Sequence, residues 1–324
     1  MKNIFILFFI LLLVVSCEKE TNSPAIKDLS LSMGAGYIND VYYSFEEDKT
    51  LSVNRTNWDI AFGTYVMSPS IIINSGNGVQ LYEVSKDTSD YYNPIDTNGM
   101  ASHETLQNSL GSWDVGAFSA NMGGGFNFGW GIYNHNSKNV NGAALYLVKL
   151  ADNSVKKIFI RQKNGFENKV YFLFANIDGS DEHLVALANN AYTGKEYVFY
   201  SLKDNAVADR EPLREDWDLL FTKYFDTQIS YLVTGVLSKP GVKVAKVSGV
   251  TPSEADTANA TFVSTVAPIG YDWKQFDMQT NTFTIADDVS YFVKTTQGNV
   301  YQLYFSKFEG AATGNLGFSK KKIK

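Results

Sequence analysis

The chain repeats itself, in order. Trp58-Asp59-Ile60-Ala61-Phe62 returns as Trp217-Asp218-Leu219-Leu220-Phe221, and Tyr146-Leu147-Val148-Lys149 returns as Tyr291-Phe292-Val293-Lys294. From each of those tyrosines the copies run in step without a gap, so that Val155 matches Val300 and Gly165 matches Gly310. A third marker lies between them: Trp130 followed by Tyr133 in one copy, Trp273 followed by Phe276 in the other. Solenoid units recur every 20 to 50 residues or so, and this repeat is far longer. It is therefore a duplicated domain, with a core expected in each copy, and the differences between copies point to function. A length of 324 residues suits two domains, and 44% hydrophobic with 14% aromatic residues supplies apolar surface for both cores.

The body reads as all-β, as two tandem antiparallel domains. Tyr42-Tyr43-Ser44-Phe45 and Tyr197-Val198-Phe199-Tyr200 are short aromatic runs followed by charged turn residues. Tyr291 to Lys294, a turn through Gly298-Asn299, and Val300 to Phe305 carry a hairpin signal. The first copy has Ala151-Asp152-Asn153-Ser154 at the turn, where Asp and Asn tolerate the left-handed conformation. The best short helix candidate is Leu184 to Asn190, and the polar stretch Asn189 to Lys195 marks the boundary. The expected bodies are 33–190 and 195–324. In both, the Trp-Asp pair reads as structural: the indole fills the core and the carboxylate bonds backbone groups to close a turn.

The N-terminus sets the address. Lys2 and the apolar run Ile4 to Val15 read as a signal peptide over 1–16, too short for a comfortable membrane span. Val14-Val15-Ser16-Cys17 resembles the lipobox of bacterial lipoproteins, so Cys17 is the expected lipidation site and 17–32 a lipidated tether. Cys17 is the sole cysteine, which leaves nothing for disulfides or thiolate metal sites. The acidic residues after it resemble surface-export signals of Bacteroidetes-type lipoproteins. A net charge of −6 without a basic stripe gives no nucleic-acid footprint.

No hydrolase or nucleotide motif stands in the chain, and no acidic pair has readable glycosidase spacing, so no enzyme is expected. Gly123-Gly124-Gly125 lacks the strand and helix context of a phosphate cradle and reads as a flexible loop. The histidines are His103, His135 and His183. His183, in Gly179-Ser180-Asp181-Glu182-His183, reads as an exposed turn residue.

Asn57 to Phe62 with Tyr65 and Asn74-Ser75-Gly76, Gly129-Trp130 leading through Tyr133 to His135, and the hairpin Tyr146 to Ile160 resemble the HmuY family of haem-binding outer-membrane lipoproteins. Trp217 to Phe221, Tyr224, and Tyr291 to Gly310 carry the same resemblance in the second half. It implies two tandem HmuY-like domains and a haem held from both sides, commonly by a histidine pair and in some relatives by Met. The family ligand after the Gly-Trp motif falls on His135, five residues past Trp130, and the upstream one on His103, 27 residues before it. Two imidazoles fill both axial positions, which suits carriage over O₂ activation. The second half has no histidine; five residues past Trp273 stands Met278, a soft thioether and otherwise an ordinary surface or packing residue, while 27 residues before Trp273 stands Lys246. The expected function is haem capture at the outer membrane and delivery to a TonB-dependent receptor. The alternative is a surface lipoprotein that binds a protein or glycan partner without haem.

Overall fold

A computed structural model describes residues 25–258 and 260–324. The signal peptide, Cys17 and the first part of the tether lie outside the described residues. Among the described residues every regular element is a β-strand or a short 3-10 turn. None is a helix long and apolar enough to cross a membrane.

The strands gather into two bodies. In the first, a seven-stranded antiparallel sheet is built around the long strand Val155–Asn164. One end of that strand pairs with Leu145–Lys149 and the other with Asn139–Gly142, while Lys169–Asn176 runs along its far side. A four-stranded sheet covers it, ordered Ala206–Ala208, Tyr197–Ser201, Ile60–Gly63, Ile71–Ile73. Ile60, Phe62, Trp130, Tyr146, Ile158, Phe172 and Tyr200 fill the space between. The second body repeats this plan. Its five-stranded sheet runs Lys27–Ser32, Asn315–Lys322, Val300–Phe308, Val289–Lys294, Lys243–Ser248. The covering sheet runs Tyr231–Ser238, Leu219–Asp226, Asn39–Ser44, Lys49–Asn54. Val41, Tyr43, Phe221, Trp273, Tyr291 and Phe318 share its core.

Both hairpins read from the sequence are present. Lys294 faces Val300 across a turn in which Gly298 has φ +93°, and Lys149 faces Val155 across a turn in which Asn153 has φ +68°. Leu184 to Asn190 is not helical: His183–Leu187 is a strand along Lys169–Asn176, and Asn189–Tyr192 is a 3-10 turn. Tertiary pairing of an edge strand has overridden a weak local preference.

The expected division of the chain is crossed by strand exchange. The hairpin of the first copy, Asn39–Asn54, pairs with Leu219–Asp226 of the second. The hairpin of the second copy, Tyr197–Ala208, pairs with Ile60–Gly63 of the first. Lys27–Ser32, expected within the tether, is instead an edge strand of the second body against Asn315–Lys322. An apolar run states which face of a strand is buried; its backbone N–H and C=O groups are the same for any neighbour, so sequence does not name the partner.

The Trp-Asp pairs hold this exchange together. Asp59 N donates to Tyr200 O at 2.9 Å, and Asp218 N donates to Tyr43 O at 2.8 Å. Trp58 meets Phe199 edge-on at 4.8 Å between ring centroids, and Trp217 meets Tyr42 at 5.0 Å. Each such aromatic pair contributes about 0.5–1.5 kcal/mol beyond burial. The carboxylates do bond backbone, as expected, but the turns they close belong to the other copy.

Candidate functional site

His135 opens the turn between the strands Gly131–Asn134 and Asn139–Gly142. The triglycine loop before it is pinned rather than free. Gly123 N donates to Asn127 O at 3.1 Å, Phe128 N to Gly131 O at 2.9 Å, and Tyr133 N to Phe126 O at 2.9 Å. Gly125, with φ +72°, reverses the chain so that Phe126 lies over the hairpin. The Phe126 ring then meets the His135 imidazole edge-on at 4.2 Å, and Tyr133 flanks the same imidazole at 5.1 Å. Phe126 is 50% exposed, with Met122 and Ile132 also exposed nearby in sequence. His135 is exposed, and among the described residues its side chain makes no hydrogen bond. The hairpin therefore presents an imidazole between aromatic rings at the surface.

His103 follows the 3-10 turn Met100–Ser102, closed by its own N–H on Met100 O at 3.0 Å, and it is exposed. Among the described residues no hydrogen bond or ring contact joins it to His135. Both segments are tied to one strand, Gln80–Ser85: Leu106, three residues after His103, bridges Leu81, and Asn121 Nδ2 donates to Glu83 Oε2 at 3.3 Å.

His183 departs from the exposed turn residue expected. It starts a strand, half-buried, with its ring stacked on Phe174 at 4.8 Å. Nε2 lies 2.9 Å from Asp181 Oδ1 and Nδ1 lies 3.0 Å from Asn205 Nδ2, so both ring nitrogens are engaged. In the second body, Met278 opens the turn of the hairpin Lys274–Ile285, the place His135 holds in the first, and is 87% exposed. Lys246 pairs with Asp272 at 2.7 Å. The second body thus offers one bare thioether at that turn and no imidazole.

A cavity of about 80 Å³, walled by both bodies, lies at the exchange seam, and neither His103 nor His135 lines it. Asp40, Trp58, Arg210, Glu211 and Trp217 contribute to its walls. Arg210 Nη2 bonds Asp40 Oδ2 at 2.7 Å, and its guanidinium lies 5.7 Å from the Trp58 ring and 5.0 Å from Phe199. Thr222 Oγ1 donates to the other Asp40 oxygen at 2.6 Å. Glu211 Oε2 accepts Glu196 N at 2.7 Å and Tyr197 N at 2.9 Å, yet burial pushes its carboxyl up to about 8. Gly76 is required here: an added Cβ would lie 2.0 Å from Lys223 O. Residues 108–115 cross the seam as a strap. Asn108 clasps Ile73 through both its backbone groups, Leu110 O accepts Val266 N at 2.9 Å, and Trp113 Nε1 donates to Ser238 O at 2.8 Å. Sequence reasoning passed over Arg210, Glu211 and Trp113. None belongs to a repeated motif, and their proximity follows from an exchange no local pattern encodes.

Fold and sites together define an all-β protein of two related, intertwined bodies. No protein-family model and no curated protein matches the chain. Among solved structures it is similar to apo PinO from Porphyromonas gingivitis, at 11% sequence identity and a TM-score of 0.30, over 93% of this chain and 98% of that one.

Proposed function

We propose that this chain is a lipid-anchored haem carrier of the outer membrane, which takes haem in its first body between His103 and His135 and passes it to an outer-membrane receptor. One observation carries the reading: the His135 imidazole is exposed, makes no hydrogen bond among the described residues, and is flanked by the rings of Phe126 and Tyr133. The donor set fits haem iron, since neutral imidazole is a sound axial ligand and aromatic side chains suit the porphyrin face. His103 and His135 are the imidazoles left for this role, His183 being engaged at both nitrogens. His103 and His135 would hold the haem, which would bring a bound iron to be carried; the chain's own task is to hold and release it. The second body offers Met278 without a matching imidazole, so one haem per chain is the expected load.

Haemin titration of protein lacking residues 1–17, followed by absorbance, tests this reading. Saturation of a Soret shift at one haem per chain, lost in the His103→Ala/His135→Ala double variant, supports it. Binding left intact in that variant removes the ligand assignment, and saturation at two brings Met278 into play. No saturable binding leaves the reading without its cofactor and turns the search to protein and glycan partners.

A further inference from the structure

The lysines of the last strand are fixed where the tether enters the fold. A run such as Lys320-Lys321-Lys322-Ile323-Lys324 is ordinarily frayed and solvated. Here it completes a ladder. Asn315–Lys322 pairs with Val300–Phe308, Ile323 N donates to Val300 O at 2.7 Å, and Val300 N accepts its place by donating to Lys324 O at 2.9 Å. Lys320 is tied down from inside, its Nζ donating to Phe45 O at 2.7 Å. Lys27 faces Lys320 in register, so the first strand of the fold begins beside this run. Lys27 stands ten residues after Cys17, a reach of at most about 35 Å.

Positive charge is in surplus at this end. Asp48 takes both Lys27 and Lys320, and Glu47 takes Lys49. Glu46 accepts from Asn299 and Tyr301 and lies near enough to Lys322 to feel its charge, and Asp28 accepts from Ser319. Glu254, on the loop whose Pro252 O reaches Gln302, accepts from Thr251. Lys294, Lys321, Lys322 and Lys324 form no ion pair among the described residues, and all but the half-buried Lys321 are exposed. Lys294 also stands opposite Lys243 in the ladder, a like-charge pair that costs stability. Lys243 lines a cleft with Asp114 and Glu196, so it is not counted among the free cations. Ile26 and Ile323, both exposed, flank Lys27 and Lys322. Free lysines with apolar neighbours, beside the entry of a lipid tether, suit a surface of acidic headgroups.

We propose that this end of the second body docks on a membrane surface of anionic phospholipid, its free lysines meeting the phosphate headgroups while acyl chains on Cys17 supply the second hold. The docking rests on the lipid-anchor part of the proposed function and needs no haem.

Protein lacking residues 1–17 keeps every described strand and reads the docking without the anchor. It should float with vesicles of phosphatidylcholine and phosphatidylglycerol in equal parts and not with pure phosphatidylcholine, although the chain is acidic overall at −6. A lysine near such a surface contributes about fivefold to binding, so Lys321→Ala/Lys322→Ala/Lys324→Ala should lower partitioning about a hundredfold with its melting temperature kept. Lys149→Ala/Arg161→Ala/Lys203→Ala removes as many cations from the first body and should change partitioning little. Salt tests the unaltered chain: going from about 0.1 M to about 1 M sodium chloride shortens the Debye length from about 10 Å to about 3 Å and should release it. Lipidation is read separately, from the mass of the native N-terminal peptide carrying Cys17. No flotation with the acidic vesicles, equal flotation with the neutral ones, insensitivity to salt, or an equal loss in both triple variants would each overturn the proposal.

Discussion

Asp59 Oδ2 accepts the backbone N–H of Leu202 at 2.7 Å, joining the motif of one copy to the hairpin of the other. Its counterpart is Asp218 Oδ2, which accepts Phe45 N at 2.8 Å. Removing either carboxylate strands a buried N–H, which costs about 1–3 kcal/mol. Asp59→Ala and Asp218→Ala should each lower stability by that amount in urea denaturation, with the Asn variants losing less. A loss confined to one of the two would break the symmetry of the exchange.

Because each body borrows a hairpin, neither half should fold alone. A fragment of residues 33–190 keeps Ile60–Gly63 but lacks its partner Tyr197–Ser201. Its own Asn39–Asn54 hairpin has lost Leu219–Asp226. We expect the fragment to give poorly dispersed amide NMR spectra, and the whole chain to unfold in one transition. A well-dispersed spectrum from 33–190 would contradict the exchange.

Glu211 gives the seam a pH dependence of known sign. Burial raises its carboxyl from 4.5 to about 8, against the pull of two backbone N–H groups. Between those values the native state keeps a proton that the unfolded chain has released, so this group's contribution to stability falls as pH rises through that window. Glu211→Gln should therefore gain stability relative to the parent from about pH 5 to pH 8. Parallel stability curves would show that Glu211 stays ionised throughout.

The aromatic flank of His135 should matter to haem, and His183 should not. Phe126→Ala removes a ring 4.2 Å from the imidazole and is expected to weaken haemin binding severalfold, in line with about 0.5–1.5 kcal/mol for such a contact. His183→Ala should leave haemin affinity unchanged while lowering thermal stability, since it breaks the bonds to Asp181 and Asn205. Loss of haemin binding in His183→Ala would reassign the ligands.

Close backbone approach at the seam predicts an intolerant glycine. Gly76→Ala sets a methyl against Lys223 O, a backbone atom with little room to give, and should destabilise the protein by about 1–3 kcal/mol. Gly124→Ala, whose added Cβ meets nothing within 4 Å, should be close to neutral. Equal melting temperatures for the two variants would mean the seam yields.

Much of the fold was legible in the chain. Alternating aromatic and aliphatic runs fixed the β class, and the repeat located equivalent cores around Trp130 and Trp273. Gly298 and Asn153 marked turns through the left-handed conformation they adopt. The candidate site was half legible. Counting from Trp130 singled out His135, but only the folded loop puts Phe126 against it and occupies both nitrogens of His183.

Sequence alone determined the β class, the repeated Trp-Asp motifs and the two hairpins turning at Asn153 and Gly298, because these depend on neighbours along the chain. The tertiary structure decided which strands exchange, and so brought Asp40, Trp58, Trp113, Arg210 and Trp217 around one cavity. Pairing is chosen by the fit of whole faces across long separations, and the backbone groups that complete it are the same at every residue except proline.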